Sequence, residues 1–375
     1  MMDFEEFKST VAENIKDYLP MDYADAEVTL QNVTKNNDLQ LTGILIMNEE
    51  SNIAPTIYLD GYYERYADGE DMSDILFDIA DTRLQHEMPD KFDVSKIMDF
   101  DQVKDRIICK LVNAEMNTDY LSNRPYTQME DLAVIYAIDL GTGQGGSMSV
   151  PITDNLMQRY GLSTEELHEI ALANLSEKEA SFKSMREMLA DMIFPDGIPE
   201  GESIDNILPT EEGCPTMYVL TNKEKINGAA AILDSKTMES ISEKLGGDFI
   251  VLPSSIHEVI ILPVTEDSDR QTLENMVQEV NAGQVEPEER LSDHVYQYDS
   301  KEHELVRMDK LEERNQQRQA SLEGAKLDEK AEKKPDRERV SMKEKIPEKK
   351  AEAARNETMR DKAVPNKVRS EAALA

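Results

Sequence analysis

Several kinds of residue are scarce in this 375-residue chain, and each scarcity excludes a class of protein. Tryptophan is absent and aromatic residues make up 6% of the sequence, so aliphatic side chains and 20 methionines must fill the core. The two cysteines, Cys109 and Cys214, are too few for a disulfide framework and indicate a reducing compartment. The N-terminus is acidic, and the longest apolar runs fall far short of the roughly 18 residues that a membrane span needs. We therefore expect a cytoplasmic protein that has no membrane partner.

Basic residues are also scarce over most of the chain. Residues 1–300 contain 60 Asp and Glu against 21 Lys and Arg, a net charge of −39, whereas residues 301–375 contain 17 against 20. A strongly negative body repels nucleic acid and attracts positively charged molecules. The charge therefore predicts a basic protein partner and no direct binding of nucleic acid. The alternative is that the charge only keeps the protein soluble.

The residue patterns of common catalytic and metal sites are missing. The five histidines are scattered, and neither His86 nor His257 continues into an H-E-x-x-H metal motif. His168 lies off the apolar stripe of its predicted helix, so we expect it at the surface. We find no Walker lysine, G-x-S-x-G elbow or paired-cysteine site. The sequence therefore predicts no catalytic residue, no metal and no cofactor, and it favours a protein that is not an enzyme.

The most informative stretch runs from residue 132 to residue 177. Residues 132–140 are apolar on both faces, which is typical of a strand in the middle of a covered sheet. Residues 147–152 predict a return strand, and Pro151 within it requires an edge or a bulge. A short helix capped at residue 153 or 154 should end at Gly161, and the capping box at 163–166 should begin the next helix.

Three glycines stand in the turn between those two strands. Gly141, Gly143 and Gly146 match G-x-G-x-x-G literally and follow a predicted strand, which is half of the dinucleotide-binding fingerprint. The other half is a helix whose N-terminal amides face the phosphates, but a strand follows here. A hairpin turn is therefore the favoured interpretation of the glycines, and a nucleotide-binding enzyme that uses residues 141–146 is the alternative.

Hydrophobic periodicity predicts the remaining elements. The predicted helices are 4–19, 70–86, 101–116, 180–192, 235–245 and 269–281. The predicted strands are 26–33, 39–47, 55–59, 217–221, 228–233, 248–252, 258–264, 294–298 and 304–308. Residues 217–281 thus have the order ββαββα.

These elements predict an α+β protein with antiparallel or mixed sheets and with helices packed on one face. We expect an N-terminal domain at 1–194, an exposed linker at 195–216 that is rich in Pro, Gly, Asp and Glu, and a C-terminal domain at 217–310. Residues 311–375 contain few apolar residues and no heptad repeat. They should form a charged tail that is either disordered or a lone helix.

Two groups of residues are candidates for an interaction surface. Tyr62, Tyr63 and Tyr66 form the chain's aromatic cluster together with Tyr58, and tyrosine suits positions that are half buried and half in contact with a partner. Packing at the edge of the core is the alternative for these rings. Arg124 is a rare cation just before the central strand, and we expect it to neutralise a nearby carboxylate.

Four short motifs carry a resemblance to a known family. They are Tyr58-Leu-x-x-Tyr62-x-x-x-Tyr66-x-x-Gly69, Arg124-Pro-Tyr126, the run Asp-Leu-Ala-Val-Ile-Tyr at 131–136, and Leu162-Ser-Thr-Glu-Glu-Leu167. With them the chain resembles domain of unknown function family 5688, uncharacterised proteins of gut Firmicutes, over about residues 1–310. The last motif is also similar to the YtpQ-like family of uncharacterised Bacillus proteins. The resemblance implies a bacterial cytoplasmic protein, encoded in accessory or mobile DNA, and it assigns no functional residue.

These observations favour a non-enzymatic acidic protein that binds or regulates a basic partner. An alternative in the same class is a DNA mimic, whose carboxylates copy the spacing of phosphates and occupy a DNA-binding enzyme.

Overall fold

In the computed structural model, the strands of the described residues form three antiparallel sheets, with helices packed against them. The structure describes residues 1–49, 51–86, 92–143, 146–195, 197–198, 203–208, 215–266, 268–318 and 321. Contacts divide the chain into two units, Met1–Glu313 and Arg314–Ala375, and the elements below all belong to the first. Of the predicted tail, residues 322–375 lie outside the described part of the chain. The predicted α+β class is confirmed.

The N-terminal sheet has one face covered by helices. Its strands are β1 (Glu27–Thr34), β2 (Gln40–Met47) and β3 (Thr56–Tyr58), in that order, and its helices are α1 (Phe4–Asn14), α2 (Asp60–Ala67) and α3 (Met72–Gln85). Phe7 of α1, Ile44 of β2 and Ile79 of α3 belong to one core and are fully buried. The predicted strands at 26–33 and 39–47 and the predicted helix at 70–86 are therefore confirmed. The predicted helix at 4–19 is confirmed as far as residue 14 and ends as a tighter 3₁₀ turn, Ile15–Tyr18.

The turn between β1 and β2 fastens this sheet to later parts of the chain. Asn37 has φ 61 and Asp38 has φ 52, a left-handed conformation that Asn and Asp tolerate better than most residues. The Asn37 amide donates to the carbonyl oxygens of Pro287 (2.7 Å) and Arg290 (2.8 Å). The Asp38 carboxylate accepts from the N–H of Tyr120 at 2.8 Å. The side chains of this turn therefore also hold the N-terminal sheet to later parts of the chain.

The middle sheet is organised around one long strand. Its strands are β4 (Ile107–Asn113), β5 (Tyr126–Met129), β6 (Leu132–Gly143) and β7 (Gly146–Pro151), and β6 pairs with the other three. Residues 132–138 are all buried, so the predicted central strand is confirmed. Pro151 is the last residue of β7, which pairs only with β6 within the described part of the chain, as an edge position requires.

The predicted helix at 101–116 is wrong over most of its length. Short helices α4 (Val94–Met98) and α5 (Phe100–Val103) are followed by strand β4. Ile107, Cys109 and Leu111 alternate with less buried residues and face the main core, while all seven residues of β4 pair with β6. Apolar residues at 103, 107 and 111 fit a helix, but 107, 109 and 111 fit a strand equally well. Pairing with β6 decides between the two periods.

The capping signals that follow the middle sheet place the next helices correctly. Short helix α6 (Thr118–Leu121) precedes β5, and helices α7 (Asp154–Tyr160) and α8 (Thr164–Ser176) follow β7. The Thr153 side chain caps α7, and Gly161 ends it with φ 70. Ser163 and Glu166 form the predicted capping box at the start of α8.

The C-terminal sheet has six strands in the order β13-β12-β10-β11-β9-β8. The strands are β8 (Ala180–Ser184), β9 (Tyr218–Asn222), β10 (Phe249–Leu252), β11 (Val259–Pro263), β12 (Tyr296–Asp299) and β13 (Glu304–Arg307). The helices are α9 (Met185–Ile193), α10 (Ile204–Ile207), α11 (Ser235–Leu245) and α12 (Arg270–Gly283). The predicted strands at 217–221, 248–252, 258–264, 294–298 and 304–308 are confirmed, and so are the predicted helices at 235–245 and 269–281.

Two predictions in this region are wrong. The predicted helix at 180–192 begins as strand β8, because a capping box of Ser184 with Glu187 starts helix α9 only at residue 185. The predicted strand at 228–233 is a 3₁₀ segment, Gly228–Leu233. Gly228 lies so close to β9 that an added Cβ would stand 2.1 Å from the Thr221 hydroxyl. Three alanines follow it, and these small residues let the segment pack tightly where a β-branched strand would not fit.

The main core lies between the middle and C-terminal sheets. Tyr136 and Ile138 of β6 are buried in the same cluster as Phe249 and Val251 of β10. Strand β8 pairs with β9, so the predicted boundary between residues 194 and 217 falls inside the first unit. Residues 196, 199–202 and 209–214 of the predicted linker, with Cys214, lie outside the described residues. Within the described part of the chain, no helix is long and apolar enough to cross a membrane.

Candidate functional site

The three glycines of the predicted turn lie in the hairpin between β6 and β7. Gly143 pairs with Gly146, and residues 144 and 145 between them lie outside the described residues. Gly141 has φ 94 at an irregularity in the strand pairing, and its N–H donates to the Asp139 carboxylate at 2.8 Å. Because a strand follows the glycines, they do not lead directly into the N-terminal amides of a helix.

Gly141 also lines a cavity of about 140 Å³, which we call the lysine cavity. Its walls include Lys110 of β4, Asp139 of β6, Lys178 after α8 and Gly228 of the 3₁₀ segment. The Lys110 ammonium group donates to the Ser149 hydroxyl of β7 at 2.7 Å. Lys178 Nζ lies 3.4 Å from Asp139 Oδ2. The cavity therefore joins parts of the chain that the sequence places far apart.

The surroundings of Lys110 change its chemistry. Burial lowers the pKa of the Lys110 amine, the charge of Asp139 opposes that shift, and the charge of Arg124 adds to it. A larger fraction of this amine is therefore uncharged near neutral pH than in an ordinary lysine. Cys109 lines the same cavity, but burial raises the pKa of its thiol to about 12, which makes it a poor nucleophile.

Arg124 and the tyrosines make contacts that stabilise the fold. The Arg124 guanidinium lies 3.6 Å from the centre of the Tyr120 ring and donates to the Tyr120 carbonyl oxygen at 2.8 Å. Among the described residues its partners are thus a ring and a carbonyl, rather than the expected carboxylate. Tyr63 and Tyr66 are half buried, with ring centres 5.4 and 5.5 Å from that of Phe7. The Tyr62 hydroxyl lies 3.0 Å from Thr82 Oγ1. The tyrosines pack at the edge of the N-terminal core.

A second cavity, of about 240 Å³, lies where the end of β4 meets the segment before β12. We call it the acidic cavity. Three carboxylates line it, those of Glu115, Asp131 and Asp293, together with a single arginine, Arg290. Glu115 and Asp293 are exposed. Among the described residues, neither forms an ion pair, so the lining retains negative charge.

Asp131 at the base of the acidic cavity is 3% exposed and links the two sheets. Its carboxylate accepts hydrogen bonds from the Ser292 hydroxyl at 2.7 Å and from the Tyr296 hydroxyl, and the Arg307 guanidinium lies 3.7 Å away. Burial and then the charge of Asp131 raise the pKa of Tyr296 far above its ordinary value, so this hydroxyl stays a donor.

Asn281 of α12 closes the back of the acidic cavity and is 3% exposed. Its amide nitrogen donates to the Ser292 carbonyl oxygen at 3.0 Å and to the Asp293 carboxylate at 2.7 Å. Two acceptors fix the orientation of the amide, and its oxygen has no hydrogen-bond partner among the described residues. Like the carboxylates, that oxygen can only accept hydrogen bonds.

Comparison with known proteins identifies the family. The model of a family of unknown function, DUF5688, matches residues 4–300. The chain belongs to the DUF5688 family. No curated protein and no solved structure matches the chain.

One further polar contact of this DUF5688 protein differs from the sequence prediction. His168, expected at the surface, is half buried, and its Nδ1 lies 2.9 Å from the Tyr136 hydroxyl. That hydroxyl is also 2.6 Å from Thr127 Oγ1. Burial lowers the pKa of His168, which favours the neutral ring. The signal in the sequence was the single tyrosine hydroxyl in an otherwise apolar central strand, because a buried hydroxyl needs a partner.

Sequence reasoning did not identify the charged residues that line the two cavities as parts of a site. Lys110 lay within the segment predicted as a helix, and Asp131 appeared only as the first residue of a family motif, just before the central strand. A charged residue inside a strand that is otherwise apolar is the available signal for Lys110. Asp131 has no such signal, since its partners lie more than 160 residues away. In the part of the chain that the structure describes, no group of three or more His, Cys, Asp or Glu side chains could hold a metal ion.

Proposed function

We propose that this DUF5688 protein is a non-enzymatic binding or regulatory protein of the bacterial cytoplasm, and that a basic protein partner docks at the acidic cavity. The lining of that cavity carries the proposal. Glu115 and Asp293 supply two exposed carboxylates, and Arg290 supplies one positive charge. The Asp131 carboxylate below them is already paired with Arg307. Such a lining favours a ligand that donates hydrogen bonds and is positively charged, as lysine and arginine side chains are.

The charge of the whole body supports the same partner. Residues 1–300 carry a net charge of −39, and a field of that sign raises the rate at which cationic proteins meet the surface. The free, buried Cys109 fits a reducing compartment. Encoding on mobile DNA is part of the same proposal and rests on the family resemblance alone.

The test compares two variants that remove the same amount of charge. The site variant carries Glu115→Gln and Asp293→Asn, and the control carries Asp22→Asn and Asp25→Asn, which are exposed in the N-terminal layer. Each protein is immobilised and exposed to native lysate at low salt, and bound proteins are eluted at about 1 M salt, where the screening length is about 3 Å. We expect basic proteins to be captured by the wild type and the control, with clear loss in the site variant.

Two results would refute this function. One is a captured set that is no more basic than the lysate. The other is equal capture by the site variant and the control, which would mean that net charge acts without a defined site. Capture of a DNA-binding enzyme would support the DNA-mimic form of the proposal.

Nucleotide binding at residues 141–146 is a separate alternative with its own test. A ligand that binds the folded state raises the melting temperature. ATP or NAD should therefore stabilise the wild type, and Gly143→Val should abolish that shift. An unchanged melting temperature across a nucleotide panel removes this alternative.

A further inference from the structure

We propose that the open edge of strand β1 pairs with the same edge of a second copy of this chain, so that two N-terminal sheets join as one sheet across a symmetric homodimer. This interaction is independent of the basic partner, because it concerns a different surface and a different class of partner.

The edge of β1 is accessible. The strand stands at one end of the order β1-β2-β3, and within the described part of the chain it pairs only with β2. Four consecutive residues, 29–32, are exposed. Because successive side chains of a strand point to opposite faces, both faces of β1 are open to solvent at these positions. The residues that the structure describes therefore do not shield this edge.

The hairpin geometry shows which backbone groups point away from β2. The Lys35 N–H donates to the Leu39 carbonyl oxygen at 2.9 Å, so these two residues form a hydrogen-bonded pair. Such pairs alternate with non-bonded pairs along an antiparallel ladder, and the register therefore turns the odd-numbered residues of β1 toward β2. The N–H and C=O groups of Val28, Leu30 and Asn32 point to the open edge, where they can bind another strand.

Other edge strands carry features that discourage such pairing. Proteins protect sheet edges with charged residues, proline, bulges or short strands. Strand β8 contains Lys183, β13 contains Glu304 and Arg307, and β7 ends at Pro151. Residues 28–34 of β1 are uncharged and include no proline, and β1 pairs with β2 over eight residues without a shift in register. The edge of β1 lacks these protective features.

The residues of this edge suit a second copy. Antiparallel pairing about a two-fold axis at Leu30 places Leu30 opposite Leu30 of the second copy, and Val28 opposite Asn32 of the second copy. The three outward-facing pairs then exchange about six hydrogen bonds. Glu27 faces Val33 of the second copy, so no like charges stand opposite each other. A basic partner, in contrast, finds no charge to pair with along this uncharged edge.

The first test is sedimentation equilibrium of the full chain. A single strand edge is smaller than the roughly 1,000 Å² of a stable interface, so we expect a reversible dimer, followed from about 1 to about 100 micromolar protein. Each copy carries a net charge of −36. Raising the salt from about 0.1 M to about 1 M, which shortens the screening length from about 10 Å to about 3 Å, should therefore tighten the dimer several-fold.

Two results of this experiment would overturn the proposal. One is a monomer at every concentration and salt. The other is a dimer that weakens as salt rises, because charge attraction rather than an uncharged edge would then hold it. Binding of the basic partner should weaken with salt, so the two proposals fail independently.

A matched pair of variants locates the interface. Leu30→Lys places two like charges opposite each other at the axis and should weaken the dimer several-fold. Leu189→Lys makes the same substitution in α9 and should leave the dimer unchanged, since Leu189 is 42% exposed and Leu30 is 37% exposed. Circular dichroism verifies that both variants fold. Equal dissociation constants for the two folded variants would refute the proposal.

Cysteine cross-linking tests the register. The Cα atoms of a hydrogen-bonded antiparallel pair are about 5.5 Å apart, within the range of about 4.4–6.8 Å that a disulfide bridges. Leu30→Cys should therefore oxidise to a linked dimer several-fold faster than the wild type, in which Cys109 is buried. Gln31→Cys, which faces residue 29 of the second copy, should show no such increase. Linkage no faster in Leu30→Cys than in Gln31→Cys would overturn the pairing about Leu30.

Discussion

The carboxylate of Asp131 joins the start of strand β6 to the segment that leads into β12, and replacing it should destabilise the whole first unit. In Asp131→Ala, the hydroxyls of Ser292 and Tyr296 lose their acceptor, and the Arg307 guanidinium loses a buried counter-charge. Removing one partner from a buried charged pair typically costs about 3–5 kcal/mol. Since small proteins are stable by about 5–15 kcal/mol, we expect a large loss.

A double-mutant cycle with Tyr296 identifies the source of that loss. Tyr296→Phe alone should cost about 1–3 kcal/mol, because one buried acceptor position of Asp131 loses its donor. The double variant Asp131→Ala with Tyr296→Phe should cost less than the sum of the two single variants, by about 1–3 kcal/mol, because each single variant leaves the other group unsatisfied.

Urea unfolding followed by far-ultraviolet circular dichroism measures these free energies, and Asp22→Ala serves as the surface control. Asp22 is exposed, and surface substitutions usually change stability by less than about 0.5 kcal/mol. A loss below about 1 kcal/mol in Asp131→Ala, smaller than an ordinary buried hydrogen bond, would contradict the reasoning. Strict additivity in the cycle would show that Asp131 and Tyr296 do not act as a pair.

Two other positions give independent predictions. Asn37→Gly removes the side-chain hydrogen bonds to Pro287 and Arg290 but still allows a positive φ, so it should lower the free energy of unfolding by about 1–2 kcal/mol. Asn37→Ala should lower it by about 1 kcal/mol more, because alanine disfavours φ 61. Equal urea midpoints for the two variants would contradict this reasoning. Burial disfavours the charged form of Asp248, but hydrogen bonds from the Ser300 hydroxyl and N–H outweigh it and lower the pKa of the carboxyl below its usual 3.8. The stability that the ionised Asp248 carboxylate contributes is therefore fully present above pH 3.8, the ordinary pKa, and is lost as the pH falls through the lower pKa of the folded state. The stability advantage of the wild type over Asp248→Asn should hold at pH 6 and shrink toward pH 3, and a difference independent of pH would count against the assignment.

Local signals in the sequence predicted the elements that depend on neighbouring residues. The capping box at 163–166 and the glycine that ends α7 satisfy backbone groups within one turn of the helix, so their effect does not depend on distant contacts. The central strand was predictable because both of its faces are apolar. The hairpin at 141–146 was predictable because the residues after the glycines alternate as a strand does.

The errors arose where two local patterns agree equally well with the sequence. At 107–111, period 2 and period 3.6 share the same apolar residues, and seven residues of pairing with β6 made the segment a strand. At 180–184 the short run Ala-Ser-Phe-Lys-Ser has no period that favours either state, and pairing with β9 made the segment β8. Element type at such positions is set by the hydrogen-bonding partner that the fold supplies.

The sequence by itself determined the α+β class, the family and the negative charge of residues 1–300. It also determined the helices that carry capping residues and the strand that is apolar on both faces. The tertiary structure alone decided the two cavities, because each collects side chains from strands and loops that are far apart in the chain. The pKa of Lys110 is lowered only because the fold buries this side chain and joins its amine to Ser149 of β7. Asp131 became a structural joint only when the segment before β12 brought hydroxyl donors to it.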